Sequence, residues 1–170
     1  LEADIVIATI EYPEGTPVSI TKEGLDRIEQ SAFKLKDSLE KLYPEQKIFI
    51  NMVSTAGDQP IKTQSARGPG NLDATFFGSH LAECVIELAP GEERPISTVE
   101  ISKIWRDLTG PIPGVKQVEF ESDLFSTGPP IEIKLSSVSR EDLKKVTSIL
   151  KDKLQTYAGV FDIKDSFSAG

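Results

Sequence analysis

The chain has 170 residues, 38% of them apolar and 27% charged, which suits a buried core of one domain or one and a half and excludes wholesale disorder. Its net charge of −8 leaves few cations to neutralise phosphate, so nucleic-acid binding and docking on anionic lipid through a basic patch are both disfavoured. With one cysteine, Cys84, and one histidine, His80, the chain has no internal disulfide and no residue set for zinc or for Cys–His or Ser–His–Asp catalysis.

In chain order, "DIVIATIEYP" (4–13) is β-branched and ends at Pro13, so it reads as a largely buried strand. "TKEGLDRIEQSAFKLKDSLEKL" follows. Leu25, Ile28, Ala32, Leu35, Leu39 and Leu42 recur at spacings of three and four, which predicts an amphipathic helix with Thr21 as N-cap and Pro44 as its stop. "KIFINMVS" (47–54) is the next strand. Residues 55–79 then hold four glycines and two prolines without a sustained period, which predicts a long loop. Within it, "SARGPGN" lacks the strand, helix and GK[ST] context of a phosphate-cradling loop. The adjacent Phe76 and Phe77 either anchor this loop to the core or present an apolar surface.

"HLAECVIELAP" (80–90) restores a strand and makes Cys84 a buried, inert thiol. Ser97 with Glu100 fits a capping box, and Ile101, Ile104, Trp105 and Leu108 then share a helical face that Gly110 and Pro111 terminate. "VKQVEFES" (115–122) is a further strand. The order is strand–helix–strand–strand–helix–strand, which predicts an α+β, ferredoxin-like split βαβ unit over residues 1–124.

A second unit is expected over residues 125–170. "PIEIKLSS" alternates like a strand, with Ile131, Ile133 and Leu135 on one side and Glu132 and Lys134 on the other. "REDLKKVTSILKDKLQTY" is a helix capped by Ser139, with Leu143, Val146, Ile149, Leu150 and Leu154 on its buried side. "GVFDIKDSF" is a strand carrying Asp162 and Lys164 on one face. A lone βαβ of this kind leaves a gap where a strand of the other half belongs, so the unit is expected to be half a domain with exposed, association-prone edges. No carboxylate pair stands out as an acid–base dyad, no enzymatic activity is expected, and no cofactor is implied.

The run "DIVIATIEYPEGTP", a long helix, a strand, "IEL-P-EERP-S--EI---WR---G-IPG", "VEFES", "GPPIEIKL", a helix and "GVFDIKDS" resembles the periplasmic porter region of resistance-nodulation-division (RND) transporters, the acriflavin-resistance type of multidrug efflux pump. The likeness covers nearly the whole chain, with "ERPIS", "GPIPG" and "GPPIEI" its most distinctive parts. "EYPEGTPVSITKEGLDRIE" resembles the copy in the C-terminal half of the transporter. The resemblance implies a periplasmic part of a proton-driven inner-membrane homotrimer that works with the rest of its own chain, a periplasmic adaptor and an outer-membrane channel. Amphiphilic small molecules are the implied substrates. It also implies that Thr9, Val118, Phe120, Glu132 and Lys164 face or flank a substrate cleft, with Phe76 and Phe77 approaching from the loop. The other reading of the same elements is a free-standing ferredoxin-like binding or interaction module that completes its sheet by association.

Overall fold

The computed structural model describes residues 4–66, 75–122, 131, 133–157, 160, 163 and 165. The chain divides into two compact units, Leu1–Ser126 and Thr127–Gly170.

The first unit is α+β, built on a four-stranded, wholly antiparallel sheet. Its strands are β1 (Ile5–Glu11), β2 (Phe49–Asp58), β3 (Phe77–Leu88) and β4 (Gln117–Glu121), in the spatial order β2-β3-β1-β4. Two long helices, α1 (Val18–Leu42) and α3 (Thr98–Thr109), pack on one face. Alternation along β1 sends Val6, Ala8 and Ile10 into that layer, where they meet Ala82, Cys84 and Ile86 of β3, Leu25, Ile28, Ala32 and Leu35 of α1, and Ile101 and Trp105 of α3. Trp105 is fully buried, lies edge-on to Phe120 at 5.3 Å, and donates its indole N–H to Ser31 Oγ at 2.9 Å. The ring therefore fills the core without leaving its one polar atom unpaired. Burial pushes the Cys84 thiol up to about 12, which keeps it protonated and unreactive.

Helix boundaries follow local chemistry. Ser97 and Glu100 form the full capping box of α3, and Gly110, at φ 62°, ends it. Helix α1 begins earlier than the sequence pattern suggests. Pro17 precedes its first residue, and Thr21 lies inside the helix, buried. The Thr21 hydroxyl is not a cap; it donates to the Ser79 carbonyl at 2.7 Å and ties α1 to the start of β3.

The expected loop over 55–79 is replaced in large part by regular structure. β2 continues to Asp58, a short helix α2 (Pro60–Ala66) follows, and β3 already begins at Phe77. The apolar period is absent because this segment is held by polar groups. Gly57, at φ 90°, sits where the β2–β3 register shifts between Ala56 and Asp58, a conformation that suits glycine and lets the chain bend into α2. Pro60 occupies the first helical position, where its missing N–H costs nothing. Of "SARGPGN", Ser65 and Ala66 belong to α2 and the other five residues lie outside the described ones.

In the second unit, α4 (Arg140–Gln155) forms with Ser139 as N-cap, its hydroxyl accepting from the Asp142 N–H at 3.2 Å. The strands expected over 130–137 and 159–167 are not found at their described residues. Alternation assigns faces, but a strand also needs a ladder of hydrogen bonds to a neighbour, and the described residues of these segments join none of the strands of the sheet. The apolar side of α4 is not buried either. Val146 and Ile149 are exposed, and Leu143, Leu150 and Leu154 are only partly covered. Ile131, Ile133 and Leu135 are exposed as well, rather than packed under a helix.

Candidate functional site

The face of the sheet opposite α1 and α3 carries a row of polar side chains. Antiparallel register places Thr55 of β2, Glu83 of β3, Thr9 of β1 and Glu119 of β4 side by side. Glu83 is 1% exposed, Thr9 3% and Glu119 4%, so two carboxylates are buried on one face of the sheet, one on the inner strand β3 and one on the edge strand β4. A buried carboxylate is tolerable only where donors replace water.

Those donors come from α2. Glu83 accepts the backbone N–H groups of Ile61 and Lys62, one on each oxygen, both at 2.9 Å. It thus satisfies two N–H groups that the first helical turn leaves without partners, and it does so from a strand remote in sequence. The Lys62 ammonium reaches Glu119 Oε2 at 2.7 Å and lies 5.3 Å from the centre of the Phe76 ring. Thr9 Oγ1 donates to the same oxygen of Glu119 at 3.4 Å. Gln59, one residue ahead of α2 and 1% exposed, donates its amide to the carbonyls of Ile10 and Ala82 at 3.0 and 3.1 Å. The return path is fastened too: Gln59 N–H donates to the Phe76 carbonyl, and Phe76 N–H donates to Thr63 Oγ1.

Burial and charge oppose each other here. Burial raises the Glu83 pKa, an effect the Ile61 and Lys62 N–H groups partly offset; Asp58 raises it further and the Lys62 charge lowers it. Burial lowers the Lys62 pKa, while the carboxylates of Glu121, Glu11 and Glu83 pull it back. On the same face Lys116 pairs with Glu11. The cluster is a charge-compensated polar seam under a short helix. Its carboxylates can accept donors, and one of them already accepts from a threonine hydroxyl. Among the described residues no group of three His, Cys, Asp or Glu side chains is placed to hold a metal ion.

No protein-family model and no curated protein matches this chain.

The described residues expected to face or flank a cleft lie on both faces of the sheet. Thr9 belongs to the polar row. Val118 and Phe120 pair with Ile10 and Ala8 and therefore point to the other face. Phe120 is buried against Trp105, under the Arg106 guanidinium, and Val118 packs on the same core. In the period-two pleat, their neighbours Glu119 and Glu121 are the residues on Thr9's side. The adjacent phenylalanines take different roles. Phe76 is half-buried and faces Lys62, whereas Phe77 opens β3 with 81% of its surface exposed. Glu132 and Lys164 lie outside the described residues, as does Asp162.

Sequence reasoning missed Gln59, Lys62, Glu83 and Glu119. One signal was present. Leu81, Glu83 and Val85 occupy successive same-face positions of β3, and a glutamate between two apolar residues on one face implies a partner. Nothing local marks Lys62 or Gln59, since their partners lie on distant strands.

Proposed function

We propose that this chain is part of the periplasmic porter region of an RND efflux transporter, from the loop of its C-terminal half. The first unit is then a ferredoxin-like porter subdomain, and the second is the first half of the next. Its role is the admission and passage of amphiphilic substrates, driven by a proton gradient used elsewhere in a homotrimeric pump, with no catalysis of its own. An adaptor and an outer-membrane channel complete the export path.

Two features support this reading beside the motifs that carry the resemblance. The order β2-β3-β1-β4 with α1 and α3 on one face is the arrangement that a split βαβ pair adopts. The observation that carries most weight is the incompletely covered apolar side of α4, together with exposed Ile131, Ile133 and Leu135. A sixteen-residue amphipathic helix with no buried residue calls for a covering layer. Returning chain of the same transporter would supply that layer. No described helix is long and apolar enough to cross a membrane, so the membrane-spanning part would lie in other segments.

The same incompletely covered face also suits the second reading, an interaction module completed by another molecule. One experiment separates the two. The uninterrupted reading frame is expressed in an efflux-deficient Gram-negative strain, and its product is fractionated. The transporter reading expects the product in the inner membrane and raised tolerance to several amphiphilic compounds, lost when the proton gradient is collapsed. A soluble product with unchanged tolerance at normal expression would overturn it and favour the module.

A further inference from the structure

Helix α2 is attached to the sheet in an unusual way. A seven-residue helix does not hold itself together in water, because nucleation costs more than so few hydrogen bonds return. Such a helix normally persists by burying an apolar face, yet α2 buries none of its side chains. What holds it is polar: the Glu83 carboxylate on its first two free N–H groups, the Lys62–Glu119 ion pair, and the Phe76–Thr63 hydrogen bond. The buried Gln59 amide anchors the residue ahead of it to β1 and β3. On the near side the chain turns at Gly57, whose left-handed backbone interrupts the β2–β3 register.

We propose that α2 is a releasable strap, latched over the Glu83–Thr9–Glu119 row by polar contacts and able to come off as a unit while the sheet and its α1/α3 core stay folded. The physical basis is that water can replace the polar fasteners named above, whereas it cannot replace the apolar contacts of the core. Lys62 is the distinguishing element. Its ammonium retains 22% exposure and spans from the strap to the far strand of the row, so it is the contact water reaches first. Glu83, Glu119, Glu121 and Glu11 all act on or pair with this ammonium, Asp58 acts on Glu83 beside it, and release opens the Glu83 carboxylate to donors from solvent. This inference does not depend on the transporter reading.

Native-state hydrogen exchange by NMR on the full chain tests it. The Thr63–Ala66 amides should exchange at least about tenfold faster than the Ala8, Cys84 and Ile86 amides of the sheet, by an opening that involves the strap alone. Lys62→Met, which keeps the apolar stem, should accelerate strap exchange by a factor of roughly three to ten and leave the sheet amides unchanged. Glu83→Gln should act in the same direction, and the sheet amides in the same spectrum report any global loss of stability. Strap amides that exchange only at the rate of the central sheet would overturn the proposal. Strap rates unmoved by both substitutions would overturn it too.

Discussion

Helix α1 and helix α4 are written in the same style. Each is charged on one side and carries leucine and isoleucine at spacings of three and four on the other. In α1 that apolar side is shut against β1 and β3, with Ile28, Ala32 and Leu35 completely buried. In α4 no residue is buried, and Val146 and Ile149 stand in solvent. Periodicity therefore specifies a helix and the direction of its apolar side, but the covering layer depends on what else the fold brings. In the first unit, four strands provide it. In the second, the apolar side of α4 is at best partly covered.

The largest effect that would break this contrast is in the first unit. Trp105→Ala removes a fully buried ring that joins α3, α1 and β4, and should cost about 3–5 kcal/mol in chemical denaturation. A loss below about 1 kcal/mol would mean that this core is not the seat of stability. A smaller effect comes from packing. A Cβ added at Gly24 would lie 2.5 Å from the Tyr12 hydroxyl, and that ring is itself buried, so Gly24→Ala should cost about 1–2 kcal/mol even though alanine favours the helix.

The polar row responds to pH with a definite sign. The folded pKa of Glu83 is raised, so between the ordinary carboxylate range and that raised value the folded state binds more protons than the unfolded one. Its contribution to stability declines as pH rises through that window. Glu83→Gln should therefore gain stability relative to the parent chain as pH climbs across it, measured by urea denaturation at a series of pH values. A difference that is flat with pH would show that Glu83 is not the titrating group. The smallest effect sharpens the contrast from the other side. Val146→Ser with Ile149→Ser should change the stability of the 170-residue chain by no more than about 0.5 kcal/mol, because neither side chain is buried.

Much of the first unit could be read from sequence because its signals are local. β-branched runs mark β1 and β3, threes and fours mark α1, and Ser97 with Glu100 marks the start of α3. The strap was unreadable for the opposite reason. Its residues look like a loop, since their partners Glu83 and Glu119 lie about twenty and nearly sixty positions further on. The resemblance places Thr9, Val118 and Phe120 together at a cleft, whereas the pleat puts Thr9 on one face of the sheet and Val118 and Phe120 on the other. Glu119, one position away from each, is the residue that meets Thr9.

In the transporter reading proposed above, the apolar side of α4 is covered by more of the same protein. Hydrogen exchange across Arg140–Gln155 tests it directly, measured in the 170-residue chain and again in the product of the uninterrupted reading frame. The account predicts weak protection in the first, close to that of a marginal isolated helix, and protection at least about a hundredfold stronger in the second. Equal exchange in the two, or a reading frame that adds nothing able to cover the helix, would contradict it.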